Sequence, residues 1–440
     1  MKTNLVTLSE LGNKRRPIGW LDGIVRNVLL SLFEKIEFGE LTIVDGDNIY
    51  VFGNPDSGPG CRVRVTVKDS RFWGDIGFGG TIGSGESYMQ GFWECDNLTD
   101  LVRIFVRNRH VMDSLDSGLA RVTAPFNKLV HAMRRNSREG SRENIAAHYD
   151  LGNDMFSLFL DETMMYSCAI FEHSKATLKE ASVAKLDRIC QKLQLRPEDH
   201  VLEIGTGWGG FAIHAAKLYG CRVTTTTISS AQLDYARQRV KDEGLEDRVT
   251  LLLKDYRDLE GQYDKLVSIE MIEAVGPDFM DNYFEQCSNL LKPNGTMLLQ
   301  AITVADQRYE EARRSVDFIQ KYIFPGGFIP SVTAMSDAIA RRTDMRLFHL
   351  EDIGPHYATT LRRWRERFFR NIERIRALGY PESFIRMWEY YLCYTEGGFE
   401  ERAIGTVHML LVKPLCRQPS LLPQLVSADS PDMHPIRHTA

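Results

Sequence analysis

The sequence predicts an α/β protein with a seven-stranded, mostly parallel, doubly wound sheet, preceded by a small α+β domain. Three observations carry this prediction. From residue 199 onward, apolar runs of strand length alternate with helical stretches, and repeated units of this kind form parallel sheets with helices on both faces. A glycine-rich turn, "LEIGTGWGG" at 202–210, closes the first of these runs and opens a helix. Before residue 125, short alternating runs follow one amphipathic helix.

The helix "GWLDGIVRNVLLSLFEKI" carries Trp20, Ile24, Val25, Val28, Leu29, Leu32, Phe33 and Ile36 at helical spacing. Such a stripe packs into its own domain or lies on a membrane surface, and the first is the commoner case. "LTIVDGDNIYVFG" and "CRVRVTVKD", punctuated by Asp-Gly, Pro and Gly, read as hairpin strands. Residues 134–144, "RRNSREGSREN", are charged and aperiodic and read as an exposed linker.

Strands are then expected at "HVLEIGTG", "CRVTTTTI", "VTLLLKD", "YDKLVSIEM" and "GTMLLQAIT", with helices at 208–219, 230–243 and near 279–291. "MRLFHLEDI" and "TVHMLLVKP" supply two more strands, separated by long helices. The boundaries are an N-terminal α+β domain at 1–133, the linker, a larger domain at 145–414, and a tail at 415–440 whose Pro, Ser and His suggest disorder.

Composition narrows the functional classes. At 440 residues the chain exceeds one hydrophobic core, and its 43% hydrophobic and 26% charged residues are those of a globular protein. A net charge of -5 gives no general attraction to nucleic acid, and no N-P-P-Y-type motif is present. No run of about 18 apolar residues occurs, and the N-terminus lacks an apolar secretory core, which predicts a cytoplasmic location. The eight cysteines form no C-x-x-C pair, so no metal site is expected.

The glycine turn is by itself a weak signal of a ligand site. Its G-x-G-x-G spacing, and a second strand ending in "TTTTIS" without the acid that holds an NAD ribose, disfavour a dehydrogenase. The turn, "KDYRDL" after the third strand and the acid-rich "SIEMIEAVG" after the fourth are the ordered set of an S-adenosylmethionine methyltransferase.

Longer motifs extend this reading. "AAHYDLGNDMFSLFLDETMMYSCAIFE", "VLEIGTGWGGFAIHAA", "IEMIEAVGPDFMDNYFEQCSNLLKPNG" and "KYIFPGGFIPS" together resemble the cyclopropane fatty acyl phospholipid synthases and the related mycolic acid cyclopropane synthases. The resemblance spans about 140–412, and "TIGSGESYMQGFWECDNL" at 81–98 resembles the small domain that precedes the catalytic domain in bacterial members. It implies a Rossmann-like class I methyltransferase domain of seven strands, with an N-terminal domain that helps dock lipid. It further implies an enzyme, a cyclopropane-fatty-acyl-phospholipid synthase, peripheral to the inner face of the membrane, with unsaturated phospholipid acyl chains as substrate and a homodimer left open.

Carried over by motif, Tyr166, Ser167, Gly205, Gly207, Thr227, Ile228, Gln232 and Tyr256 are expected to line the S-adenosylmethionine site. Glycines admit the methionine moiety, Thr227 and Gln232 suit ribose hydroxyls, and Tyr256 offers an aromatic edge to adenine. Methyl transfer to an alkene leaves a carbocation that must lose a proton in a dry pocket. The resemblance assigns the base to a bound bicarbonate, held near Cys168, Glu273, Ile302, Tyr357 and a histidine.

Where the family reads "LLHTI" this chain reads "LLQAI", so the histidine is Gln300. A glutamine amide donates a hydrogen bond but cannot shuttle a proton, which opens a methyl-branched or methylene product as the alternative to a ring. His356 is a candidate to compensate, and an ordinary polar contact is its plainer reading.

Two stretches bear on how lipid is met. "TLRRWRERFFRNIERIRAL" holds seven arginines with Trp364, Phe368 and Phe369; it suits anionic headgroups, or equally a helix whose arginines pair with Glu366 and Glu373. "DFIQKYIFPGGFIP" is placed to roof an acyl tunnel, or to pack as core.

Overall fold

A computed structural model describes residues 20–58, 60–117 and 152–421. The expected linker and most of the expected tail lie outside the described residues. Residues 415–421 run back along the domain, where Gln418 donates from Nε2 to the Lys192 carbonyl.

The N-terminal unit begins with α1 (Trp20–Phe33). Val25, Leu29 and Phe33 turn inward, while Ile24 and Val28 stay 55% and 53% exposed. Strands β1 (Gly39–Asp45) and β2 (Asn48–Asn54) form the expected hairpin around Gly46-Asp47. Gly46 sits at φ 64, the backbone state that a two-residue hairpin loop demands.

The next run, β3 (Arg62–Val67), departs from the hairpin reading because it pairs parallel to β1. Its alternation buries Val63, Val65 and Val67 on one face, and alternation reports a face without reporting a strand direction. Helix α2 (Arg71–Met89), β4 (Trp93–Cys95), α3 (Leu98–Arg107) and α4 (Arg109–Ser117) complete the unit, with sheet order β2-β1-β3-β4.

The larger unit opens with α5 (Asn153–Phe159) and α6 (Leu178–Leu193). There follow β5 (His200–Ile204), α7 (Gly210–His214) with a wider π-type turn over 215–219, β6 (Arg222–Thr227), α8 (Ser230–Asp242), β7 (Val249–Leu253) and β8 (Tyr263–Ile269). Next come α9 (Met280–Asn289), β9 (Leu291–Val304), the short α10 (Tyr309–Arg314) and α11 (Phe318–Tyr322), and α12 (Val332–Arg342). The chain ends through β10 (Arg346–Asp352), α13 (Gly354–Arg370), α14 (Ile372–Ala377), α15 (Glu382–Glu400) and β11 (Ile404–Val412).

The seven-stranded sheet has the order β10-β11-β9-β8-β5-β6-β7. The strands from β9 to β7 pair parallel, and β11 runs antiparallel to both β9 and β10. From β5 the chain winds outward to β7 and then returns to β8 on the other side of β5. That reversal leaves a crevice at the carboxyl ends of β5 and β8, the place where open α/β sheets take ligands.

The arginine-rich stretch forms α13 and α14, and its partners lie within the chain. Trp364 and Phe368 are fully buried. Arg362 and Arg365 both pair with Glu396 of α15, Arg367 donates to the carbonyls of Phe159 and Leu160 at the end of α5, and Arg363 and Arg376 pair with Glu366 and Glu373. Burial of the apolar face leaves Arg362, Arg363, Arg365 and Arg376 beside acids that neutralise them, and Arg367 on backbone carbonyls.

Candidate active site

The glycine turn begins where β5 stops. Gly205 and Gly207 take φ 104 and 52, a region that side chains rarely adopt, and nothing lies within 4 Å of where a Gly207 Cβ would sit. The turn is pinned by the amides of Gly205 and Thr206, which both donate to the Thr226 carbonyl of β6.

Around it the predicted cofactor residues come together. Tyr166, Ser167, Gly205, Gly207, Thr227, Ile228, Gln232 and Tyr256 all line one cavity of about 940 Å³. Thr227 donates from Oγ1 to Gln232 Oε1 at 2.9 Å, so the two polar groups are held as a unit. Tyr256 packs edge-on against Tyr283, with ring centroids 5.4 Å apart. The Tyr166 and Tyr391 hydroxyls share a hydrogen bond of 2.9 Å.

Two charged residues here escaped the sequence reading. Lys185, fully buried on α6, donates to Ser167 Oγ at 2.9 Å. Burial lowers its ammonium to about 8. Glu203, on β5 just before the turn, accepts from Thr225 Oγ1 at 2.6 Å, and burial raises its carboxyl to about 8. Open glycine backbone, buried polar groups and an adjoining aromatic wall fit S-adenosylmethionine.

The predicted catalytic residues converge one strand away, on a residue the sequence reading passed over. Glu270 follows β8 with φ 48, a left-handed conformation that is uncommon outside glycine. Its Oε1 accepts from the Cys168 amide and from Gln300 Nε2, each at 2.8 Å. Its Oε2 accepts from the Tyr357 hydroxyl at 2.6 Å. Cys168 thus acts through its backbone. Its thiol, held well above the ordinary range by burial, lies against the Ala169 and Ile353 carbonyls.

Glu273 sits beside this carboxylate and accepts from the Ile302 amide at 2.5 Å. Its other oxygen is buried with no hydrogen-bond partner. Burial, and next the charge of Glu270, raise the Glu273 carboxyl to about 8. Glu270 is also raised by burial, but Tyr357, Cys168, Gln300 and Lys185 all oppose that rise. Two carboxyls side by side do not both ionise readily. The donors select Glu270 as the charged one.

The side chain that replaces the expected histidine is itself oriented by a histidine. Gln300 on β9 stands opposite His408 on β11, and His408 Nε2 lies 2.9 Å from Gln300 Oε1. Lys192 Nζ, which can only donate, lies 3.0 Å from His408 Nδ1. Nε2 therefore carries the ring proton, which makes Oε1 the acceptor and turns the Gln300 amide nitrogen toward Glu270. Burial keeps His408 neutral, with its pKa well below the ordinary value. His356 does not compensate: its Nδ1 accepts from the Phe171 amide at 3.3 Å.

Cys168 and Gln300 do not reach the cavity; Glu270, Glu273, Ile302 and Tyr357 do. The expected anion cradle is therefore closed on its inner side by a carboxylate of this chain. Bicarbonate does not fit among these donors, because Glu270 already accepts from Cys168, Gln300 and Tyr357.

Residues 136–409 match the family described as mycolic acid cyclopropane synthetase. The chain belongs to that family. Within it, the chain is 41% identical to the tuberculostearic acid methyltransferase UfaA1 of Mycobacterium tuberculosis over 77% of its own length and 80% of that protein. It is 40% identical to the cyclopropane-fatty-acyl-phospholipid synthase of Escherichia coli over 77% of its length and 85% of that protein. Among solved structures it resembles the mycolic acid cyclopropane synthase CmaA1 complexed with SAH and CTAB. That match has TM-score 0.57 and 31% identity, and covers 62% of this chain and 98% of the other.

A mycolic acid cyclopropane synthetase family member of this kind is an S-adenosylmethionine-dependent methyltransferase. The acid-rich run after β8 was the sequence signal for its carboxyl pair, and only the second acid, Glu273, was singled out there. No local pattern marks His408, which meets Gln300 only through the β9–β11 register.

Proposed function

We propose that this chain methylates the cis double bond of an acyl chain carried by a phospholipid and closes a cyclopropane ring on it. One observation supports this reading most. The cavity that begins at the glycine turn passes Glu270 and Glu273 and continues into the N-terminal unit, where Phe33, Leu41, Val65 and Phe72 line it. A site for a polar cofactor alone would not need a long apolar extension of this kind.

S-adenosylmethionine supplies an electrophilic sulfonium methyl when bound. The chain's residues do the rest. Tyr166, Phe324, Leu361 and Phe399 give the reaction an apolar wall and keep water from the cation formed on the acyl chain. The proton leaves the added methyl carbon to a base in the pocket, and the C–H pair closes the ring. Phe324, Gly327 and Phe328, from the segment expected to roof a tunnel, line the same cavity.

A second reading is a methylene chain, formed if a hydride shifts to move the cation onto the methylated carbon and the methyl then loses the proton, or a methyl-branched alkene, formed if a chain carbon loses it instead; both are isomers of the ring product. Gln300 in place of the expected histidine favours it, as does the likeness to the tuberculostearic acid methyltransferase. The lipid is met at a bilayer surface. Among the described residues no helix is long and apolar enough to cross one, and α1 leaves Ile24 and Val28 exposed.

Vesicles of unsaturated phospholipid incubated with methyl-labelled S-adenosylmethionine test both readings. Label in lipid with upfield cyclopropyl protons supports the ring, and olefinic methylene protons support the second reading. Unlabelled lipid at saturating cofactor rejects both.

A further inference from the structure

Among the groups around the cavity, Glu270 has a placement that the reading above does not account for. The family resemblance supplies a dissolved anion as base, yet the groups meant to hold that anion are occupied. The Cys168 amide, the Gln300 amide nitrogen and the Tyr357 hydroxyl all donate to Glu270. Its backbone is held at φ 48, where a side chain costs free energy and glycine does not. A strained glutamate at the end of a strand persists when its side chain repays that cost, and here hydrogen bonds converge on the carboxylate from three different segments.

We infer that Glu270 is the catalytic base of this enzyme, a carboxylate built into the chain in place of an exogenous bicarbonate. The inference rests on the olefin methylation proposed above. In balanced form, the π pair of the alkene forms a carbon–carbon bond to the sulfonium methyl as the carbon–sulfur bond breaks. A Glu270 oxygen then takes one proton from that methyl carbon. The freed C–H pair bonds to the cationic carbon, and no oxidant or reductant is consumed. The proton leaves Glu270 for water when the product withdraws from the cavity.

The surrounding groups suit that role. Glu270 faces the cavity together with Glu273, and Glu273 is driven toward its neutral form beside it, so a single negative charge meets the cation. Gln300 is a positioning residue: it stays outside the cavity, is oriented by His408, and aims its amide at Glu270. A neutral donor suffices there because the amide need only hold a carboxylate.

The test compares wild type, Glu270→Gln and Glu270→Gly in the vesicle assay, in carbon-dioxide-free buffer and with bicarbonate restored. Wild-type turnover is expected to change by less than about twofold, whereas Glu270→Gln loses about 100- to 10,000-fold, the range for removing a general base. Glycine relieves the positive φ and opens the cradle, which offsets part of the loss of three hydrogen bonds, so Glu270→Gly should still fold and melt cooperatively. It should regain at least about tenfold of its lost activity with bicarbonate, formate or acetate.

A binding arm is independent of turnover. The resonance of carbon-13 bicarbonate should stay sharp with wild type and broaden saturably with Glu270→Gly. Wild-type turnover that requires bicarbonate, saturable bicarbonate binding by wild type, or a Glu270→Gln variant within about threefold of wild type would each overturn the inference. If no protein labels lipid, the substrate reading fails, and the binding arm still decides whether Glu270 fills the anion site.

Discussion

At the residue scale, the carboxyl pair of Glu270 and Glu273 couples chemistry to stability. Glu273 is raised to about 8 from an ordinary 4.5, so the folded chain holds a proton that the unfolded chain releases. The sign follows from linkage: the folded state binds more protons between those values, and stability falls as pH rises through that window. Glu203 contributes in the same direction. The urea midpoint of wild type relative to that of Glu273→Gln should therefore decline from about pH 5 to about pH 8, whereas His408, held neutral by burial, contributes in the opposite direction equally to both proteins. Equal slopes would mean that Glu273 is ionised in the folded protein. Both acids are visible in "IEMIEAVG", but two intervening residues conceal which one faces three donors. That depends on a backbone turn at Glu270 and on donors 30, 87 and 102 positions away.

At the element scale, helical periodicity found α13 and α15 without revealing what they do to each other. Glu396 on α15 is 2% exposed and pairs with Arg362 and Arg365 on α13, while the Thr99 hydroxyl on α3 donates to it at 3.3 Å. Removing a buried acid leaves its partners facing each other with their charge uncompensated. Glu396→Ala should cost about 2 kcal/mol of unfolding free energy, read by urea denaturation. A loss below about 0.5 kcal/mol would make the pairs ordinary surface contacts. From sequence alone the same arginines suit a basic face and a helix paired with Glu366 and Glu373 equally, because the partner Glu396 lies 31 and 34 positions away. Likewise β3 reads correctly as a strand, while its parallel partner is a matter of chain path.

At the scale of the whole molecule, the N-terminal unit is part of the site. One hydrophobic cluster joins Val25, Phe72 and Trp93 to Phe156, Trp364 and Trp388, and polar bonds cross the same seam. Tyr88 donates to Glu389 at 2.7 Å, and Arg386 donates to the Tyr88 and Trp93 carbonyls. Gly85 lies where an added Cβ would meet Phe318 at 2.3 Å, so α2 approaches α11 closely. Ile76, on the same helix, lines the far part of the cavity. Ile76→Trp should shorten the space for an acyl chain and lower turnover of long-chain phospholipids relative to short-chain ones by roughly tenfold. An equal loss on both would place the chain elsewhere.

By itself, the sequence determined the order of strands and helices, the glycine turn and the family, because each is written in local periodicity or in contiguous motifs. Tertiary structure alone decided which groups face one another: Glu270 against Cys168, Gln300 and Tyr357, and Gln300 against His408. The physical reason is that a side chain's charge and role depend on its desolvation and its donors. Those arrive from segments brought together by sheet order and burial, and a linear pattern does not encode that proximity.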